Sequence, residues 1–262
     1  MEAIKINTEQ GLLAETVLRL ALDVGEGMLK NGGEVSRVEN TIERICRAWG
    51  AEHVEVFSIV SMINATVHMP DGTRSSQMRR IRATGTDMYK LELLNELSRE
   101  ICQHHLQTDE VDARVKAIKR SAAYPRWAAV PASAIAASAF AVFFGGGVAE
   151  AVVALFIGAL LGAIELFAAG HVNELAKTVV SAFVAGILSF AAALIVSGTG
   201  SGIIMIGTIM LLVPGVAFGT ALRDLLCGDL IAGGLKTLQS ILTALMIAFG
   251  YLLSMAVMGG AL

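Results

Sequence analysis

The stretch EAVVALFIGALLGAIELFAA, residues 150–169, decides what kind of fold this chain has. Its only charges are Glu150 at its start and Glu165 near its far end. A helix needs about 20 apolar residues to cross the ~30 Å hydrocarbon layer of a bilayer. No water is available there for backbone groups, so a span must pair them internally, as a helix does. Similar runs lie at about 127–145, 177–197, 202–219 and 237–258, which makes five expected spans. From Trp127 onward the only charged residues are Glu150, Glu165, Glu174, Lys177, Arg223, Asp224, Asp229 and Lys236. Every other charge lies before that point. The composition, 55% hydrophobic and 16% charged, is therefore an average over two different parts. We expect an N-terminal α+β domain over 1–122 and a transmembrane helical domain over 123–262.

The basic cluster Lys116, Lys119, Arg120 and Arg126 stands just before the first expected span. By the positive-inside rule this puts the N-terminal domain in the cytoplasm. The loops at 170–176 and 220–236 then face inward, and those at 145–149 and 198–201 outward. Five spans leave Leu262 outside. The start, Met1–Lys5, does not read as a signal peptide. A net charge of −3 with a pI near 6.0 provides no basic field for nucleic acid. Three scattered cysteines, Cys46, Cys102 and Cys227, do not form a disulfide framework.

Helical periodicity places an amphipathic helix at 10–31, through Leu13, Val17, Leu20, Val24 and Met28. Asn31-Gly32-Gly33 ends it. Ser36-Arg37-Val38-Glu39 reads as a capping box opening a second helix, which carries Val38, Ile42, Ile45 and Trp49 and stops at Gly50. Residues 53–60 and 62–69 read as strands, Pro70-Asp71-Gly72 as a turn, and 73–81 as a third strand. Helices follow at 86–104 and 109–120. The order ααβββαα predicts an antiparallel sheet with helices packed on it.

The most unusual piece of the apolar half is LVPGVAFGTALRDLLCGDL, residues 212–230. Pro214 removes a helix hydrogen bond and disturbs the preceding turn. Gly215 and Gly219 permit close approach of another backbone or a ligand. Arg223 can grip a carboxylate through two parallel bonds. Asp224 and Asp229 can hold an ammonium group or take up a proton. A kinked helix followed by an ordinary charged loop remains an alternative reading. Glu165 is the acid well inside a span, and it either handles protons or substrate or snorkels to the interface. Glu150 reads as a cap at a helix start. Ser197–Gly202 reads as a flexible turn or as amides open to an anion. Gly158-x-x-x-Gly162 is a close-packing motif. His171 reads as a solvated loop histidine. Cys102-Gln103-His104-His105 lacks the further spaced ligands of a metal site, and neither metal nor cofactor is expected.

Gly33-Glu34-Val35-Ser36-Arg37-Val38-Glu39-Asn40-Thr41-Ile42 resembles the N-terminal signature of the threonine/serine exporter family. The stretch ending Gly85-Thr86-Asp87-Met88-Tyr89-Lys90-Leu91 does so too. Pro214-Gly215, Arg223-Asp224-Leu225-Leu226, Gly228-Asp229 and Gly233-Gly234 resemble its membrane signature. Longer members carry about ten spans, so this chain is similar to the split form, whose large subunit pairs with a shorter membrane protein. The resemblance implies a secondary exporter subunit of the bacterial inner membrane, oligomeric with such a smaller partner subunit. Its cargo would be a small metabolite, threonine, serine or a dicarboxylate such as succinate. No ATP-binding motif is present, so an ion gradient would supply the energy. Arg223, Asp224, Asp229 and Glu165 are the expected substrate or ion contacts. Pro214, Gly215 and Gly219 would form the moving break, and Gly33, Ser36 and Glu39 mark the cytoplasmic motif. A membrane-anchored sensor whose α+β domain binds a ligand is the alternative.

Overall fold

The computed structural model describes residues 2–104, 106–168, 173–196 and 198–258. His105, His171, Ser197, Gly259, Gly260 and Leu262 lie outside the described residues. Two compact units make up the chain. One is Met1–Ala123 with Val216–Leu238, and the other is Tyr124–Gly215 with Gln239–Leu262.

The first unit begins with helix α1 (Glu2–Lys30), α2 (Val35–Ala48) and three strands, β1 (His53–Ile59), β2 (Met62–His68) and β3 (Arg74–Arg80). Helices α3 (Met88–His104) and α4 (Thr108–Arg120) follow. The strands form an antiparallel meander in the order β1-β2-β3, with His53 opposite His68 and Met62 opposite Arg80. At the second turn Gly72 takes a φ of +83°, and Asp71 accepts a 2.8 Å bond from the Thr73 amide. This is the turn that Pro70-Asp71-Gly72 predicts. Ile63, Ala65 and Val67 alternate into the core, as strand pleating requires.

Helix α1 is more deeply enclosed than its single predicted stripe. Leu18, Leu22 and Leu29 are buried together with Val17, Leu20, Val24 and Met28. It packs against α2, α3, α4 and the sheet, so it has little exposed side to spare. Helix α2 is one-sided, burying Val35, Val38, Ile42 and Ile45.

The second unit contains α5 (Ala129–Phe143), α6 (Val148–Ala168), α7 (Glu174–Ile195) and the short α8 (Ser201–Ile209). Two more helices complete the chain, α9 (Gly215–Leu226) in the first unit and α10 (Leu230–Met258), which contributes to both. Among the described residues four segments are long and apolar enough to cross a membrane: Arg126–Phe143, Val148–Ala168, Glu174–Ile195 and Leu230–Met258. The expected span at 202–219 is not one helix. It is divided into α8 and α9, with turns over 210–214. Pro214 has no amide to donate, and its ring drives Val213 out of helical geometry. The 9 residues of α8 reach only about 14 Å at 1.5 Å per residue, short of a bilayer crossing.

Helices of the second unit meet through small residues. A Cβ placed on Gly158 would lie 2.6 Å from both Ala137 Cβ and the Ser133 carbonyl oxygen. One on Gly162 would lie 2.9 Å from Val130 Cα. The Gly158-x-x-x-Gly162 motif thus seats α5 directly against the α6 backbone, the contact expected where lipid offers no hydrophobic drive for helix association. Thr208 and Tyr251 share a 3.1 Å hydroxyl contact inside this unit.

Candidate functional site

The site begins with two turns. Gly32, at φ +93°, closes α1, and Gly33 follows, its amide bonded to the Met28 carbonyl at 2.9 Å. Glu34 then takes an extended backbone and precedes α2 as its N-cap, although its side chain makes no capping bond. At the other turn Gly228, at φ +96°, ends α9. The Asp229 amide donates to the Asp224 carbonyl at 2.9 Å, and the Asp229 carbonyl receives the Gly233 amide at 2.8 Å to open α10.

The first amides of a helix have no partner within it and carry its positive dipole end. For α2 those partners come from far along the chain. The Val35 amide donates to Asp224 Oδ1 at 3.2 Å, and the Ser36 amide lies near enough to Asp229 to favour its charged form. Asp224 has no exposed surface. Its Oδ2 accepts from Lys236 Nζ at 2.7 Å, and Lys236 also donates to the Gly33 carbonyl at 3.3 Å. Arg223 Nη1 pairs with Glu34 Oε1 at 3.0 Å. The two signatures that lie almost 200 residues apart in sequence are therefore one charged junction.

Here the capping-box reading is corrected. Ser36 lies inside α2, one residue past Val35. Glu39 does not reach back. It accepts the Ser58 amide at 2.6 Å and the Ser58 hydroxyl at 3.0 Å, tying α2 to β1. The remote aspartates displace the local motif because they bring full charge to the helix start.

Asp229 is partly buried, and its Oδ2 is shut off from solvent with no hydrogen-bond partner among the described residues. Burial pushes its carboxyl above the usual range, and the nearby Asp224 charge adds to the rise. Lys236 and the Ser36 amide act against it. Burial also raises Glu39, opposed by its Ser58 bonds, with the Asp229 charge contributing a little. An acid raised on folding favours the folded state below its unfolded pKa and loses that contribution as pH rises through the folded one. Asp229→Asn removes this loss. Its melting midpoint therefore gains on the wild type as pH goes from about 4 to about 7, the range above an ordinary aspartate pKa. Parallel melting curves for the two proteins across that range would disprove the assignment.

The remaining predicted residues are placed differently. Pro214 and Gly215 form the break before α9. A Cβ on Gly215 or Gly219 would meet no atom within 4 Å, so among the described residues nothing uses the close approach they were expected to allow. Glu165 belongs to the second unit, where Lys177 Nζ lies 2.8 Å from it and 2.7 Å from Glu174. Lys177 is only 8% exposed while both acids are open. Glu150 caps its helix as expected, accepting the Gly147 amide at 3.0 Å, and it also takes the Gly200 amide at 3.1 Å. The Gly200 amide of the 197–202 turn is therefore already occupied. Lys236, Glu34 and Lys177 were not singled out from sequence. The one available signal was that a buried Asp224 needs a cation, which does not say which cation.

The threonine/serine exporter family, ThrE, matches residues 19–258, and this chain belongs to that family. It is 26% identical over 259 residues to an Escherichia coli (strain K12) protein named "Probable succinate transporter subunit YjjP", covering 97% of this chain and 98% of the relative. It is 23% identical over 253 residues to "Pheromone-regulated membrane protein 10" of Zygosaccharomyces rouxii, covering 92% of this chain and 25% of that protein. The chain thus spans about a quarter of the yeast relative. No solved structure matches it. Family and apolar helices together define a helical, multi-pass membrane protein of an exporter family, with a small sheet near its N-terminus.

Proposed function

We propose that this chain is one subunit of a secondary active exporter that moves a small metabolite out of the cytoplasm. The cargo is a threonine- or serine-type amino acid or a small dicarboxylate such as succinate. Protons drive the export, and a smaller membrane subunit completes the pathway. The observation that carries this reading is the charged junction at the start of α2, where a buried Asp224–Lys236 pair adjoins an Asp229 oxygen without a hydrogen-bond partner among the described residues. Asp229 is the proton-sensitive acid. Arg223 meets the cargo carboxylate in competition with Glu34, its partner at rest. The names of the family and of the bacterial relative support the cargo class.

The test is efflux of labelled succinate and labelled threonine from cells carrying this chain, the smaller subunit, both or neither. Efflux of one cargo should need both chains and should fall when an uncoupler collapses the proton gradient. Unchanged efflux in the two-chain cells would sink the proposal. A membrane-anchored sensor, in contrast, shows no efflux of either cargo with or without the smaller subunit, and an exporter does.

A further inference from the structure

A polar cleft of about 690 Å³ lies on the first unit between α2 and α3, lined also by Arg223 of α9 and by Cys227. Ligand pockets typically enclose some 300–1,000 Å³. The two helices run side by side in the same direction. At one end a Cβ on Gly32 would lie 3.2 Å from the Gly85 carbonyl, and at the other Trp49 Nε1 donates to the Leu106 carbonyl at 3.3 Å. Each lays a stripe at helical spacing along the cleft. Helix α2 gives Arg37, Asn40 and Arg44, and α3 gives Leu91, Asn95 and Arg99.

The charge of this cleft is what calls for a ligand. Arg19, Arg47, Arg79, Arg114 and Arg223 all have carboxylate partners. Arg37, Arg44 and Arg99 form no ion pair among the described residues, yet all three line one cavity. Among the described residues the other arginines without an ion pair stand on the sheet or near chain turns. A guanidinium stays charged at any pH the protein meets, so the three bring positive charge to one cavity. Glu92 is the carboxylate at the cleft not held by an arginine, since Glu34 is held by Arg223. Arg37 and Arg44 are seven residues apart, or roughly 10 Å along the helix. That spacing suits charge at two ends of a molecule better than one compact centre. Leu91 and Met88 supply an apolar lining for a short hydrocarbon body.

We infer that the α2–α3 cleft is a binding site for a small organic dianion, with Arg37, Arg44 and Arg99 as its anion contacts. Because Arg223, the proposed cargo contact, also lines this cleft, the claim extends the proposed function, and binding measured without transport tests it separately.

The experiment is calorimetric titration of the full-length protein in detergent with succinate, inorganic phosphate and uncharged succinamide, at low and high salt. Succinate binds saturably, succinamide does not, and added salt weakens binding because exposed charges are screened. Arg37→Gln, Arg44→Gln and Arg99→Gln each weaken succinate about tenfold, which corresponds to ~1.4 kcal/mol. Glu92→Gln tightens it, while Arg120→Gln, outside the cleft, leaves it unchanged. Melting curves confirm that each variant is folded, and the tightening by Glu92→Gln cannot come from unfolding. No saturable succinate binding, or binding indifferent to the three arginine changes, overturns the site. Phosphate bound at the same arginines with succinate excluded overturns the dianion class.

Discussion

Asp224→Ala should destabilise the first unit by about 3–5 kcal/mol, the usual cost of stripping one partner from a buried ion pair. Two losses coincide. Lys236, with 14% of its side chain exposed, loses the Asp224 carboxylate 2.7 Å from its ammonium group, and the Val35 amide loses its acceptor. Against a typical total stability of about 5–15 kcal/mol, that leaves little protein in the membrane. Asp224→Asn is the sharper functional probe. It preserves shape and an acceptor for Val35, so protein still reaches the membrane, but efflux stops. Lys236→Met is also costly alone, because it leaves Asp224 buried and unpaired. Asp224→Asn with Lys236→Met removes both charges and recovers stability without recovering efflux. Unfolding curves for the four proteins measure the coupling. Strict additivity, within about 0.5 kcal/mol, would mean that the two side chains do not act as a pair.

Gly158→Leu combined with Gly162→Leu should prevent α5 and α6 from assembling. Each new side chain begins where another helix already stands. The contacts at Gly158 include the Ser133 carbonyl, a backbone atom that cannot rotate away. Overpacking costs about 1–3 kcal/mol for modest additions, and two leucines at backbone contact exceed that range. The expected result is loss of the monodisperse peak in size-exclusion chromatography. Gly219→Ala provides the control. Its Cβ meets nothing within 4 Å, and alanine in a helix interior is favoured over glycine by up to about 1 kcal/mol. That variant should accumulate at least as well as the wild type. A normal chromatogram for the double leucine variant would remove close packing as the role of the motif.

Much of the fold was legible because its signals are local. Alternating Ile63, Ala65 and Val67, the turn at Pro70-Asp71-Gly72 and the one-sided pattern of α2 each declare an element within a few residues. Long apolar runs declare spans in the same way. The fourth span failed because hydropathy counts residues and ignores geometry. Leu211, Leu212 and Val213 are as apolar as a span requires, yet Pro214 ends the helix that would carry them. The parity count that put Leu262 outside rested on that span. The capping box failed because Ser36 and Glu39 satisfy a local rule that two distant aspartates override. Arg223, Asp224 and Asp229 could be nominated from their setting. Their union with Glu34, Val35 and Lys236 could not, because the hydrogen bond from Val35 to Asp224 spans 189 positions, and no short window contains it.

The dependence of α2 on a segment that follows it so late has a practical meaning for anyone cutting the gene. A fragment ending at Ala123 contains every strand and the first four helices, and on paper it is a natural unit to purify. It would nevertheless lack Ala232 from its hydrophobic interior and both acids that cover the exposed start of its second helix. Excision would yield a damaged piece, and supplying the missing stretch through an artificial linker would be the way to mend it.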